Sequence, residues 1–208
     1  MRANSGVCPE PRYRSLPAAG VLLLLAAAPQ LSPRDVVQRT SDQVVAVLSE
    51  PGLSKADRRD KVKAIVLANT DFDTLCRLVL ARNWGKFTPE QQREFRREFE
   101  DHLSVTYGRR LDDYRGEKLT IVGDRKEPNG DWTVQSRIVR GGGSNDVMVD
   151  YRLRQSNGQW KVIDVIIEQV SLVVNFRSQF QEIVANGGPE KLLQLLREKI
   201  EKGEEFES

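Results

Sequence analysis

The segment from Asp150 to Phe180 constrains the fold more than any other part of this chain. Its first residues belong to a stretch from Val147 to Arg154 in which apolar and polar residues alternate. This alternation is the pattern of a half-buried strand. Asn157-Gly158 then predicts a tight hairpin turn. The next strand, Trp160 to Ile167, is apolar on both faces, and an amphipathic helix begins near Ser171. A sheet that must be covered on both faces, with a helix directly after it, predicts an enclosed apolar space that protein or a ligand fills.

The middle of the chain predicts an antiparallel meander between two sets of helices. Strands are expected near 118–124, 131–140, 146–155 and 159–168. Because the turns between them are short and rich in Asn-Gly or Gly, no crossover helix fits and neighbouring strands must run antiparallel. Capping signals and apolar helical faces predict helices before the sheet, and two more follow it, at about 171–185 and after Pro189. The fold class is therefore α+β: a curved four-stranded antiparallel sheet, flanked by N-terminal and C-terminal helices that enclose an apolar pocket.

The first thirty residues predict a secretory signal peptide. Arg12 and Arg14 precede an apolar run from Leu16 to Ala28, and this run of about 13 residues is too short to span a bilayer. Alanines at its end offer a cleavage site. We therefore expect residues 1–30 to be removed and residues 31–208 to form the mature domain. An uncleaved anchor and a buried core helix are the alternatives.

Composition argues against two classes of site. The chain has 32 basic and 30 acidic side chains. The first thirty residues hold three of the basic and one of the acidic ones, so the mature chain is neutral and no basic excess points to nucleic acid. The single histidine, His102, and the single mature cysteine, Cys76, are too few for a zinc site. We expect His102 to face solvent or form a hydrogen bond, and Cys76 to be a buried small hydrophobe.

The chain contains none of the short motifs of nucleophilic, metalloprotease or phosphate-binding enzymes. Asp164 interrupts an otherwise apolar strand, and a buried aspartate can serve as a general base in small cone-shaped enzymes. The favoured interpretation is that Asp164 points outward or pairs with Arg152 or Arg154 on the neighbouring strand. These patterns alone indicate a secreted α+β protein without a recognisable catalytic apparatus, and they fit a filled core as well as a cavity.

Five blocks of the sequence, in order and at matching spacing, resemble the MlaC family, also known as toluene-tolerance auxiliary transport proteins. The blocks read FDTLCRLVLARNW, TPEQQREFRREFEDHL, VDYRLR, WKVIDVIIE and VSLVVNFRSQF. The resemblance runs from about Asp71 to Leu196. Ala81 stands where the family usually has glycine, Gln169 stands at the usual glycine before the VSL block, and Phe176 replaces a tyrosine. A left-handed backbone at Gln169 would strain any residue other than glycine.

The resemblance implies a periplasmic phospholipid carrier, not an enzyme. Such proteins move phospholipid between an outer-membrane lipoprotein complex and an inner-membrane ABC transporter of the MlaFEDB type. The expected partners are these two complexes, and the expected ligand is a bound phospholipid as cargo, with no cofactor. In the family, the acyl chains lie between the curved sheet and the helices.

Applied to the apolar faces of this chain, the resemblance predicts which side chains contact the lipid. The predicted lining consists of Phe72, Val79, Phe95, Phe99, Leu103, Val149, Tyr151, Val165, Ile167, Leu172, Phe176 and Phe180. Arg177 is the candidate contact for the head-group phosphate, and a surface or structural ion pair is its alternative. Two other function classes stay open. A ligand-free periplasmic adaptor would have a filled core and bind proteins through its helices, and a small cone-fold enzyme would depend on Asp164.

Overall fold

The computed structural model describes residues 30–140 and 145–206. The expected signal peptide, as far as residue 29, and the glycine-rich turn at 141–144 lie outside the described residues. In chain order the elements are α1 (Pro33–Ser49), α2 (Lys55–Asn69), α3 (Phe72–Leu80), a 3-10 helix (Ala81–Lys86), α4 (Pro89–Gly108), a second 3-10 helix (Arg109–Asp113), β1 (Lys118–Lys126), β2 (Trp132–Val139), β3 (Val147–Ser156), β4 (Gln159–Ile167), β5 (Val170–Ser171) and α5 (Leu172–Lys202). Among the described helices, none is long and apolar enough to cross a membrane.

The N-terminal helices begin at residues whose side chains cap them. Ser32 caps α1 and Thr88 caps α4, each in a capping box and each followed by a proline. Ser54 accepts a hydrogen bond from the backbone N–H of Asp57 and so starts α2. Such caps stabilise a helix because they satisfy N–H groups that have no partner inside it. The capping signals in the sequence therefore coincide with the starts of these three helices.

The strands of the described residues form one antiparallel sheet in the order β1-β2-β3-β4-β5. The α+β class is confirmed, but this sheet has five strands where four were expected. The missed strand, β5, contains only Val170 and Ser171 and pairs with the end of β4. Glu168 and Gln169 make the turn with φ of 48° and 69°, in the left-handed region that a type I′ hairpin turn requires. The left-handed backbone considered for Gln169 is thus present without a glycine.

The last helix, α5, is kinked. Gly188 has φ 72° and ψ −175°, outside the helical region, and Pro189 follows it without a backbone N–H to donate. The kink separates the two helical parts that the sequence predicted.

Two buried clusters hold these elements together. The larger contains apolar side chains of α3, α4 and α5, including Phe95, Phe99 and Phe180, each at most 1% exposed. The smaller joins α1 to β2 and β3, with Val37 and Leu153 among its members. The first cluster fixes the helical layer and the second fixes α1 on the sheet. Beside them, around α2, lies space that side chains do not fill.

Candidate functional site

A cavity of about 750 Å³ lies between α1, α2 and one face of the sheet. The helices present apolar faces to it because their valines and leucines recur at helical spacing. Each of the first four strands adds one apolar or aromatic side chain. The apolar lining consists of Val37, Val44, Val45, Leu48, Val62, Val66, Leu111, Leu119, Ile138, Tyr151 and Val162. A volume of this size falls in the range of small-molecule sites, roughly 300–1,000 Å³.

One side of this first cavity is charged. Arg110, Asp113 and Arg140 line it and are exposed, so the cavity meets solvent on this side. Glu117 completes the group, and its carboxylate accepts a hydrogen bond from the Arg115 backbone N–H at 2.7 Å. That bond, together with the nearby arginine charges, lowers the pKa of Glu117. Two arginines and two carboxylates therefore form a rim without net charge.

A second cavity, also of about 750 Å³, lies between α2, α4 and the C-terminal part of α5. Its apolar lining includes Phe72, Leu103 and Ile200. Lys63 and Asp101 lie at its polar side, where Nζ of Lys63 is 2.8 Å from Oδ1 of Asp101. The predicted pocket is thus present as two neighbouring spaces, and both border α2.

Five of the predicted lining residues belong to the packed core and line neither cavity. The rings of Phe95 and Phe99 stack with centroids 5.4 Å apart. The rings of Phe176 and Phe180 meet that of Phe99 at 5.0 and 5.5 Å, nearly perpendicular to it. Val79 is 1% exposed in the same cluster. Rings in direct contact leave no room for an acyl chain between them. These five side chains instead pack α3, α4 and α5 against one another.

Three predicted residues do line a cavity. Tyr151 lies in the first, and Phe72 and Leu103 lie in the second. Burial raises the pKa of Tyr151 to about 12. Leu172 instead packs against the aromatic core from the start of α5.

The other predicted residues extend the sheet face that carries Tyr151. Tyr151 lies opposite Val165, and Val149 lies opposite Ile167, in the register of β3 and β4. Directly opposed residues project to the same face of a sheet. The four side chains therefore form one apolar block beside the first cavity, and their contact with a lipid stays a prediction.

The sequence interpretation left α1 and α2 out of the lining. Their apolar stripes, such as Val37, Val44 and Leu48 in α1, are visible in the sequence. The resemblance, however, began at about Asp71 and so supplied no role for these helices. The apolar stripe of α1 extends beyond the valines of the small core cluster. This stripe was the signal that could have assigned α1 to the lining.

Asp164 is buried and binds the start of α5. Its Oδ1 accepts a hydrogen bond from the backbone N–H of Val173 at 3.1 Å, and its Oδ2 accepts one from the Ser171 hydroxyl at 2.6 Å. Nη1 of Arg152 lies 3.8 Å from Oδ2, which confirms the predicted pairing across the strands. Asp164 is 1% exposed, so its side chain does not point outward. Both carboxylate oxygens hold a helix N-terminus, where a negative charge is stabilising.

Arg177 is engaged between two helices. Its Nε donates a hydrogen bond to the carbonyl oxygen of Leu78 at 2.9 Å and so ties α5 to α3. Its side chain is not among those that line the two cavities. This contact is structural, as the alternative interpretation expected. Its acceptor, however, is a backbone carbonyl and not the carboxylate of an ion pair. A phosphate contact by Arg177 stays a prediction.

His102 and Cys76 lie inside the protein. His102 is 1% exposed, and its ring is 5.9 Å from that of Phe176 and 5.0 Å from that of Phe206. Burial lowers the pKa of His102 to about 4, and within the described chain its Nε2 has no hydrogen-bond partner. The expectation of a solvent-facing or hydrogen-bonded histidine was therefore wrong. Cys76 is fully buried, as predicted, and burial raises the pKa of its thiol.

The fold and the cavities define a class of protein: an α+β domain in which helices and a sheet face enclose apolar space that opens to solvent at a charged rim. The sequence model of the MlaC protein family matches residues 38–198. The chain therefore belongs to the MlaC family.

Two relatives support this assignment. The toluene tolerance protein ttg2D of Pseudomonas putida is 29% identical over 185 residues, which covers 81% of this chain and 83% of that protein. A phospholipid-binding protein from Ralstonia solanacearum, solved in complex with a phospholipid, is similar with a TM-score of 0.73 and 26% identity. That match covers 81% of this chain and 96% of the solved one. Both relatives are matched over most of their length, so the similarity extends to the whole domain.

Proposed function

We propose that this protein is a periplasmic phospholipid carrier that moves lipid between outer-membrane and inner-membrane components of an ABC-type transport system. The observation that carries the proposal is the first cavity, which is lined by aliphatic side chains of α1, α2 and the sheet and has a charged rim at the solvent side. The similar protein from Ralstonia solanacearum was solved with a phospholipid. An apolar interior with a polar exit matches the two chemically different ends of such a ligand.

The physical reason for a protein carrier is the cost of exposing acyl chains to water. Each CH₂ removed from water contributes about 0.8 kcal/mol, so two chains of about 16 carbons contribute on the order of 20 kcal/mol gross. Burial of this size keeps a lipid bound between membranes. It also makes spontaneous release slow, so delivery requires a partner that opens the cavity.

Export to the periplasm is part of the same proposal. We propose that residues 1–30 form a cleaved signal peptide. Ser32, the capping residue of α1, follows this segment almost at once, so cleavage near residue 30 leaves the first helix intact. Edman sequencing or intact mass of the protein recovered from the periplasm gives the new N-terminus. A chain that begins at Met1 would contradict this part of the proposal.

The proposed function is not catalytic. Asp164, the candidate general base, has both carboxylate oxygens bound to the start of α5. A ligand-free adaptor, the other alternative, predicts a filled core, whereas two cavities of about 750 Å³ flank α2. The cavities therefore favour lipid carriage over the adaptor.

Native mass spectrometry of residues 31–208, purified from the periplasm without detergent, tests the carrier directly. We expect a discrete added mass that extraction identifies as phospholipid. An apo mass, combined with no uptake from liposomes, would reject lipid carriage and favour the adaptor.

A matched pair of variants links the lipid to the first cavity. Val44→Trp places a large ring in the cavity, because Val44 lines it. Val174→Trp adds the same ring at a side chain that is 54% exposed on α5. We expect Val44→Trp to lose most of the bound lipid and Val174→Trp to keep it, with both variants folded by circular dichroism. Equal lipid content in the two folded variants would argue against this cavity.

The partners are tested by reconstitution. Purified MlaFEDB-type transporter and the outer-membrane lipoprotein complex are placed in separate vesicles, and transfer of a labelled phospholipid is followed with and without the carrier. We expect transfer to require the carrier and to fall with Val44→Trp. Transfer at the same rate without the carrier would remove the shuttle role while leaving lipid binding intact.

A further inference from the structure

The two cavities meet at a ridge of three side chains. Val62 and Val66 of α2 and Leu111 of the second 3-10 helix line both spaces. Val66 is 45% exposed and Leu111 is half-buried, so the ridge reaches the surface. The cavities have equal volumes of about 750 Å³ and lie on opposite sides of this ridge.

Two consecutive arginines flank the ridge. Arg109 lines the second cavity and Arg110 lines the first, and the two residues stand just before Leu111 in the chain. Nη1 of Arg109 donates a hydrogen bond to the Gly203 carbonyl oxygen at 3.3 Å, and Nη2 of Arg110 lies 3.0 Å from Oε1 of Glu205. The C-terminal segment therefore contacts both guanidinium groups, and each arginine lines one of the two cavities.

We propose that one diacyl phospholipid straddles the ridge, with one acyl chain in each cavity and its phosphate between Arg109 and Arg110. This inference rests on the proposed function and specifies its ligand: a lipid with two chains and an anionic group at their junction. The two acyl chains of such a lipid are attached to one glycerol backbone. In the proposed arrangement they diverge from it to opposite sides of Leu111. Guanidinium groups bind phosphate through several charge-assisted hydrogen bonds.

This arrangement makes the second cavity necessary for a two-chain lipid but not for a one-chain lipid. Val44 lines only the first cavity, and Val105 lines only the second. Val44→Trp and Val105→Trp therefore block one space each. Ala56, which is exposed and also lines only the second cavity, offers Ala56→Trp as a replacement should Val105→Trp fail to fold.

The test is uptake from vesicles of phosphatidylethanolamine and phosphatidylglycerol, and from lysophospholipid, read by native mass spectrometry. We expect each single-cavity variant to bind at least tenfold less of the two-chain lipid than the wild type does. Each variant should still bind one equivalent of lysophospholipid. Normal uptake of the two-chain lipid by a folded second-cavity variant would overturn the inference, because both chains would then fit in the first cavity. A wild-type protein that takes up no lipid would instead overturn the carrier function itself.

The arginines are tested with lipids that differ only in the phosphate. Arg109→Gln and Arg110→Gln are each expected to weaken phospholipid retention about tenfold, as for the loss of one charge-assisted hydrogen bond, and to leave diacylglycerol retention unchanged. Glu205→Gln is the control, because it removes the C-terminal partner of Arg110 and keeps both arginines. Equal losses for phospholipid and diacylglycerol, or no loss for either, would refute the phosphate contact.

Discussion

Ala81 is strained in the native structure, and Ala81→Gly should stabilise the protein. Ala81 ends α3 with φ 47° and ψ −123°, a conformation that glycine adopts freely and that costs an L-residue about 1–3 kcal/mol. Its side chain is exposed, so removal of the methyl group loses no core packing. Glycine also makes the unfolded chain more flexible, which offsets about 0.4–1 kcal/mol of the gain.

The expected net effect of Ala81→Gly is a stabilisation of about 1 kcal/mol, equivalent to a rise in Tm of about 2–4 °C for a domain of this size. Urea unfolding of residues 31–208 measures it as a higher midpoint with an unchanged slope. Ala64→Gly is the matched control, because Ala64 is exposed inside α2 and glycine there should cost about 1 kcal/mol. If both substitutions destabilise the protein equally, the strain at Ala81 is not real.

Three further predictions address the core, the candidate base and the histidine. Phe99→Ala should lower the free energy of unfolding by about 3–5 kcal/mol, because Phe99 is 1% exposed among aromatic rings; thermal denaturation measures it, and a loss below 1 kcal/mol would contradict the filled core. Asp164→Asn should cost about 1–3 kcal/mol, since it removes a charge from the start of α5, and an unchanged urea midpoint would contradict that role. The pKa of His102 falls from 6.5 to about 4 on folding, so the unfolded state takes up a proton first as the pH falls. The contribution of His102 to the free energy of unfolding is therefore complete above pH 6.5 and is lost between pH 6.5 and about 4. His102→Leu should flatten the dependence of stability on pH in this range. A pH profile that this substitution leaves unchanged would exclude His102 as its source.

The sheet was largely predictable because its signals are local. Alternation from Val147 to Arg154 gave β3 its inward and outward faces, and Asn157-Gly158 gave the β3–β4 turn. The strand β5 was missed because a two-residue strand has no period, and because Glu168 and Gln169 adopt a turn that the sequence gives no glycine to mark. Pairing with β4 creates this strand, and pairing is not a local property.

The site was less predictable because periodicity shows which face is apolar and not what covers it. The stripe of Phe95 and Phe99 in α4 and the stripe of Val44 and Leu48 in α1 give the same kind of helical signal. Only the structure shows that the first meets other rings and the second borders a cavity. The prediction included the aromatic stripe of α4 and left out the aliphatic stripes of α1 and α2.

The size of the side chains explains this division. A phenylalanine ring extends far enough from its helix to contact a ring on a neighbouring helix, and centroid distances near 5 Å between Phe99 and Phe176 show the space between α4 and α5 filled. A valine is shorter, and on α1 Val37 packs in the sheet cluster whereas Val44 and Val45 border the open cavity. Close packing is the normal state of a protein interior, and the unfilled region lies beside α1 and α2. The aromatic cluster thus packs α3, α4 and α5 together, and α2 borders two open spaces beside it.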